Sequence, residues 1–366
     1  MPLDRRLIQN FDWRVILSAF LLVGVGILSI YAATATSIFP AKQALPLRQT
    51  TWFLVGATLL LLVVTINYRT AGRFAYLLYG LAILSLLLVP FFGRVGLGAQ
   101  RWIKLGFIAF QPSEVAKIAL VLCLARYFED RKERVSTART MRGAALLTLV
   151  PALLVVRQPD LGTALVLLAL GISMMLLVGL RLRVVIPVGV ALLALAPVVW
   201  TFLKAYQKRR VLVFLNPNMD PLGAGYHVAQ SKIAVGSGEL WGKGFMAASQ
   251  SQLNFLPENH TDFIFAVLAE QWGFVGSVAV LGLFYFLIVR GLEVSMEAKD
   301  LFGSLLAFGI TTMIGLQALV NIGMVLGIMP VVGIPLPLLS YGGSSMVMTL
   351  TAIGLLVNVR MRRFMY

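Results

Sequence analysis

Four side chains able to exchange a proton or bind a cation fall within the stretch "LPENHTDFIFAVLAEQWG", namely Glu258, His260, Asp262 and Glu270. They stand out because the chain has only 15 Asp and Glu against 31 Lys and Arg, and only two His. Asp262 opens an apolar run and has two readings. An Asp at a helix start accepts orphan backbone N–H bonds, as Thr261 beside it could equally do. A carboxylate at a membrane mouth next to His260 is also placed to take a proton from a hydroxyl. Glu258 lies four residues earlier and shares the Asp262 face if that stretch is helical. Glu270 lies about 12 Å deeper at the helical rise, where a carboxylate has to be paired, hydrated or neutral and has to face the protein interior.

Three further stretches carry groups suited to an anionic ligand. "GAQRWIKLGFIAFQPSEVAKIA" places Arg101 and the interfacial aromatic Trp102 ahead of a helix that starts at Pro112. Glu114 sits there at the positive dipole end, and Lys117, three residues on, either pairs with it or serves as a phosphate ligand. "RQPDLGTA" puts Arg157 and Asp160 in a turn where Asp160 is able to cap the next helix. "QALVNIGMVLGIMPVVGIPLPLLSYGGSS" mixes Pro and Gly at membrane depth, which backbone tolerates only inside protein or along a wet cavity.

The elements that position these groups follow from composition. With 59% hydrophobic residues, 13% charged residues and a mean hydropathy of +0.88, the chain is an all-α polytopic membrane protein with no room for a large soluble domain. Apolar runs bounded by charges predict ten transmembrane helices at 13–33, 51–68, 74–92, 113–127, 143–156, 161–180, 184–203, 262–289, 302–325 and 344–359. The first run is too long for the apolar core of a signal peptide and reads as an uncleaved helix. Of the 31 Lys and Arg, 18 fall in one set of loops together with both termini and 12 in the other, so both termini are expected in the cytoplasm. The single cysteine, Cys123, excludes a disulfide or a cysteine metal site within the chain.

The outer loops pair their twelve cations with five acids, a surplus the positive-inside rule does not predict. Such a surface suits phospholipid or a lipid-linked phosphate or diphosphate, although solvated loops would carry the same charges. One outer loop, 204–261, is about 58 residues long and holds both histidines, Arg210 and Lys232. Its length marks it as functional, and the "GYHVAQSKIAV" part reads as an amphipathic helix on the membrane surface. Neither a P-loop nor a G-x-G-x-x-G stretch is present, which argues against ATP hydrolysis by this chain.

These segments, in this order and over nearly the whole chain, closely resemble the SEDS family (shape, elongation, division and sporulation), particularly its rod-shape branch. The specific parts are "GAQRWIKLG", "FQPSEVAKIA", "RQPDLGTA", "YQKRRV", "DPLGAGYHVAQSKIAVGSGELWGKGF", "SQSQLNFLPENHTDFIFAVLAE" and "VNIGMVLGIMPVVGIPLPLLSYGGSS". The resemblance implies a single ten-helix domain over 1–366 in the bacterial plasma (inner) membrane, active on its extracytoplasmic face. It further implies a peptidoglycan glycosyltransferase that polymerises lipid II into β-1,4 glycan with inversion and release of undecaprenyl diphosphate. Implied partners are a class B penicillin-binding protein supplying transpeptidation and other membrane proteins of the elongation machinery, with no nucleic acid. Asp262 falls on the family's essential aspartate and is expected to be the general base. Arg101, Lys117, Arg210 and Lys232 are candidate cations for the leaving diphosphate, and Trp102, Glu114, Asp160, Glu258 and His260 complete the expected substrate site. A divalent cation (Mg or Mn) bridging the diphosphate to a carboxylate is a candidate cofactor, with no ligands assigned.

One position departs from the family pattern. Asn254 stands where many relatives have a second acid, so any role of that acid passes to Glu258 or is dispensable. Intramembrane Glu114, Lys117 and Glu270 with Pro/Gly-broken helices also suit a lipid-precursor flippase or another secondary transporter. A membrane scaffold that activates partner enzymes is a third reading.

Overall fold

The computed structural model describes residues 10–35, 37, 39–96, 99–105, 108–195, 197, 200–201, 205–216, 223–247 and 260–364. Its main elements are α1 (Trp13–Thr34), α2 (Leu45–Thr65), α3 (Ala75–Phe92), β1 (Gly93–Gly96), β2 (Ala99–Leu105), β3 (Ile108–Phe110) and α4 (Pro112–Glu129). There follow α5 (Ala138–Arg157), α6 (Leu161–Leu177), α7 (Leu182–Ala194), α8 (Ala205–Leu215), α9 (Ala224–Ser237), α10 (Ile264–Glu297), α11 (Leu301–Val325) and α12 (Gly343–Met361).

The central element is α4, buried on every side from Ala116 to Ala125. It packs on α3, α5, α6 and α11, while α2 runs along α12 and α10 along α1 and α11. Pro112 opens α4 at a position whose N–H has no helical partner anyway, and Glu114 lies in its first turn. Seven helical stretches among the described residues are long and apolar enough to cross a membrane: 13–34, 40–65, 75–92, 138–157, 264–297, 301–325 and 343–361. Of the other three expected spans, α4 carries Glu114, Lys117, Arg126 and Glu129 within its length. Helix α6 has 17 residues, about 25 Å of rise, just short of the hydrocarbon thickness. Helix α7 has 13 residues.

The all-α expectation needs correction between α3 and α4, where β1, β2 and β3 form an antiparallel sheet. The β-branched and aromatic residues of "GRVGLGAQRWIKLGFIAF" are cut by glycines at turn-like spacing, a hairpin pattern hidden by the apolar runs on either side. The sheet is pinned to the bundle, because Ser344 Oγ donates to Ala109 O at 3.1 Å and accepts from Gln111 N at 3.2 Å.

The start of α1 and the last turn of α12 meet at the opposite end of the bundle. Asp12, buried before α1, receives Arg290 Nη2 and Arg360 Nε, each at 3.0 Å, which joins the starts and ends of three helices. Fully buried Asn358 on α12 caps the last turn of α2, donating to Val63 O at 2.7 Å and Val64 O at 3.0 Å and accepting from Tyr68 N at 3.1 Å. The helix-end carbonyls it satisfies would otherwise be orphaned inside protein. Nearby, the Tyr68 hydroxyl donates to Asp300 at 2.9 Å, and burial, with the Asp300 charge adding to it, pushes that phenol up to about 12.

Helix α10 is broken at Gly273, whose φ of 65° and ψ of −160° interrupt 34 otherwise helical residues. An unbroken helix would bond Phe274 N–H to Glu270 O and Val275 N–H to Gln271 O. Instead, the "GELWGKG" segment intervenes. Lys243 N donates to Glu270 O at 2.9 Å and Gly244 N to Gln271 O at 3.1 Å, while Phe274 N donates to Glu239 O at 2.8 Å and Val275 N to Leu240 O at 3.1 Å. Backbone meets backbone so closely that a Cβ on Gly273 would lie 2.3 Å from Gly242 N. Gly273→Ala is therefore expected to cost roughly 2–3 kcal/mol through strained backbone alone, with the contact adding to it. A clearly lower thermal midpoint of the purified protein would show this, and an unchanged midpoint would contradict it.

Candidate functional site

The segment His260–Thr261–Asp262 enters α10 at the end of the bundle opposite Asp12 and is held by three consecutive backbone carbonyls. Tyr341 N donates to His260 O at 2.9 Å, Ser340 Oγ to Thr261 O at 2.6 Å, and Asn321 Nδ2 to Asp262 O at 2.9 Å. Each clamp is itself fixed. Asn321, fully buried in the last turns of α11, also donates to Ile334 O at 2.7 Å. The Ser340 hydroxyl accepts from Leu336 N at 2.8 Å, and Gln49 of α2 bonds Ser340 O at 3.0 Å and Gly342 N at 3.2 Å. The Pro/Gly-rich segment after α11 thus acts as a cradle, its irregular backbone satisfied by side chains as burial requires.

Asp262 is half-buried, and its Oδ2 lies 3.4 Å from where a Cβ on Gly333 would be. Gly333 has a φ of +73°, which glycine adopts without strain, so the cradle passes under the carboxylate with no side chain in the way. The N-cap reading of Asp262 is not the one observed: α10 begins at Ile264 with Phe263 at the cap position and no capping side chain. His260 packs near Tyr341, with rings 5.9 Å apart, and His227 of α9 approaches Phe263 at 6.5 Å. Both histidines of the long loop therefore come to the Asp262 segment, His227 being one that residue spacing did not select.

The other expected site residues form two ion pairs. Glu114 and Lys117 make a mutual bond of 2.8 Å with both side chains almost fully buried, so the expected pair is present. Arg101 on β2 reaches the turn before α6, where it donates to Pro159 O and lies 3.7 Å from Asp160. Asp160 is also the cap expected of it, accepting from Thr163 N at 3.2 Å. Trp102 sits half-buried beside Arg101 in the same strand.

Lys232 is exposed on α9 and lies against Gly327 at the C-terminal end of α11, favourable for a cation at a helix C-terminus. Helix α9 is anchored there by Ser231 Oγ, which donates to Val325 O at 2.9 Å. A helix is therefore present where one was expected, and it docks on α10 and α11. Glu270 is fully buried and bonded to Lys243 Nζ at 2.9 Å, so its charge is paired as enclosure by protein requires. Glu258 and Asn254 lie outside the described residues, as does the side chain of Arg210 on α8.

Between α6 and α11 runs an apolar groove of about 270 Å³, lined by residues including Leu165, Val166, Leu316, Val320, Met329 and Val332. Ile334, which follows Gly333 beneath the Asp262 carboxylate, is also part of its lining. Among the described residues no group of three or more His, Cys, Asp or Glu converges to hold a metal ion. The chemistry on offer is a positioned carboxylate, fixed cations and an apolar channel, a combination suited to a ligand with a hydroxyl, an anionic group and a long hydrocarbon part.

Comparison with known proteins shows the family. The family model for the cell cycle proteins FtsW, RodA and SpoVE matches residues 11–364. Peptidoglycan glycosyltransferase MrdB of Escherichia coli (strain K12) is 44% identical over 312 residues, 85% of this chain and 84% of that one. A chain from a peptidoglycan synthase complex that coordinates polymerization and crosslinking superposes with a TM-score of 0.83 at 35% identity, covering 97% of this chain and 99% of that one. The rod shape determining protein RodA of Thermus thermophilus superposes with a TM-score of 0.73 at 32% identity, covering 97% and 98%.

Proposed function

The chain belongs to the FtsW/RodA/SpoVE family, and on that premise we propose how its residues carry out the reaction. It is a multi-pass membrane protein and a peptidoglycan glycosyltransferase of cell elongation, polymerising lipid II. In our reading Asp262 takes the proton from the acceptor GlcNAc 4-hydroxyl as that oxygen attacks C1 of the donor sugar. The C1–O bond to the diphosphate breaks, its electron pair leaves with undecaprenyl diphosphate, and the α-linkage becomes β-1,4. Charge growing on the diphosphate calls for fixed cations. Arg101, Lys117, Arg210 and Lys232 are the candidates, with Trp102, Glu114, Asp160, Glu258 and His260 around the sugars and phosphates. The apolar groove beside Gly333 has the lining a polyprenyl chain needs. A divalent cation serving the diphosphate would take most of its ligands from the phosphates and water.

The observation that carries this reading is the three-carbonyl clamp on 260–262, because holding a general base within a fraction of an ångström of its target is where much of an enzyme's rate comes from. The clamp predicts that Asn321→Leu, which keeps the volume and removes both donors, lowers kcat for lipid II polymerisation roughly 10–100-fold with little change in KM. Ser340→Ala is expected to act the same way, and Ser340→Thr, which keeps the hydroxyl, to restore the rate. Wild-type kcat in Asn321→Leu would contradict the reading. We further propose ten membrane-spanning helices with both termini cytoplasmic, the Asp262 end facing outward from the bacterial plasma membrane, and the 204–261 segment on that side. As partner we propose a class B penicillin-binding protein, acting with other elongation proteins; the structural likeness to a complex that couples polymerization with crosslinking supports it.

A further inference from the structure

The segment that closes the break in α10 carries an unusually apolar surface. Leu240 and Trp241 are 62% and 78% exposed and Phe245 is 48% exposed; on the broken helix beside them Trp272 and Phe274 are 39% and 62% exposed. Tyr31, near the end of α1, stacks with Phe245 at 6.4 Å. In water, five such side chains around a glycine-rich loop would be costly. Three observations identify what covers them.

The first is backbone satisfaction. Two helical hydrogen bonds of α10 are opened, and all four freed groups are bonded again to Glu239 O, Leu240 O, Lys243 N and Gly244 N. A further bond, Gly242 N to Gly238 O at 2.7 Å, closes the segment on itself. A loop in water has no need of this, because water bonds its peptide groups; a loop entering a bilayer does.

The second observation is height. Arg290 belongs to the charged network around Asp12, and the 17 residues from Gly273 to Arg290 span about 25 Å along the helix, close to the thickness of a hydrocarbon core. The segment therefore lies near the opposite membrane boundary. The change in burial agrees, since 264–271 is enclosed by protein on all sides whereas exposed positions recur from Trp272 onward.

The third is chemistry. Trp and Tyr gather at such boundaries, and Trp, Phe and Leu form the buried face of segments that lie in them. The nearby ammonium of Lys243 is bonded to Glu270 at 2.9 Å, so it does not enter the apolar layer uncompensated.

We propose that residues 239–245 form a membrane anchor that inserts Leu240, Trp241 and Phe245 into the headgroup and acyl boundary of the leaflet on the Asp262 side. The anchor joins the bilayer surface directly to the helix that Asp262 precedes, and it does not depend on the reaction assigned above. The test uses the full-length protein with Cys123→Ala, carrying Leu240→Cys, Trp241→Cys or Phe245→Cys with a nitroxide label, in vesicles of phosphatidylethanolamine and phosphatidylglycerol. Collision rates with oxygen, which partitions into lipid, and with a water-soluble nickel chelate give the environment of each label. Oxygen is expected to exceed nickel severalfold at 240 and 241, as at the lipid-facing reference Val278→Cys. Nickel dominance would make the segment an aqueous loop, and exclusion of both reagents would mean that protein covers it; either overturns the proposal. A conservative variant gives a second reading: quenching of tryptophan emission by brominated lipid should fall in Trp241→Phe, and equal quenching in both proteins would contradict insertion.

Discussion

Asp262→Asn is expected to lower the rate of glycan polymerisation roughly 10²–10⁴-fold, the usual contribution of a general base, with lipid II binding retained. The amide has the shape of the carboxylate but cannot accept the hydroxyl proton. The clamps that place residue 262 act on main-chain carbonyls, through Asn321 and Ser340, so they survive the substitution. The folded state is therefore expected to keep its thermal midpoint, and the loss to appear in kcat rather than KM. Asp262→Glu retains a base but moves it by a methylene from the position the clamps set, so an intermediate rate is expected. Single-turnover rates on purified lipid II measure both variants, and a near-normal rate in Asp262→Asn would assign the base elsewhere.

Glu114→Ala has the largest expected effect on folding. Glu114 and Lys117 lie in the most enclosed helix of the bundle, 3% and 2% exposed, and each is the other's counter-charge. Removing one leaves an uncompensated buried charge, at a cost of about 3–5 kcal/mol. The purified variant should show a sharply reduced thermal midpoint. Replacing both, as Glu114→Met with Lys117→Met, removes the buried charges together and should recover most of the stability. The double variant then separates the two roles of the pair. If Lys117 also serves the diphosphate, the double variant folds and polymerises poorly; if it polymerises at the wild-type rate, the pair is structural only.

Much of this arrangement could be read from residue types. Asp262 was marked by being an acid at the start of an apolar run in an acid-poor chain. The buried position of Glu270 followed from the cost of a carboxylate at depth, but its partner Lys243 did not. The two meet only because α10 opens at Gly273, and a glycine inside an apolar run gives no sign that it breaks a helix. The Pro and Gly residues after Asn321 signalled a shaped site, although not that Asn321 and Ser340 would be its clamps, because their bonds go to backbone groups that every residue carries. The sheet was missed because its short strands sit between long apolar helices, which dominate any hydropathy reading. Asp160 caps α6 as its position in the turn suggests, whereas its contact with Arg101, far off in sequence on β2, could not be read from spacing.

The central claim is that this chain itself joins the sugars. Its most direct test is gel analysis of glycan made from purified lipid II by the wild-type protein, with its penicillin-binding partner inactivated for both transpeptidation and glycosyl transfer, beside Asp262→Asn under the same conditions. A ladder of polymer is expected from the wild type and almost none from the variant. Equal polymer from both would remove Asp262 from the mechanism, and no polymer from either would contradict the enzyme assignment and return the transporter and scaffold readings.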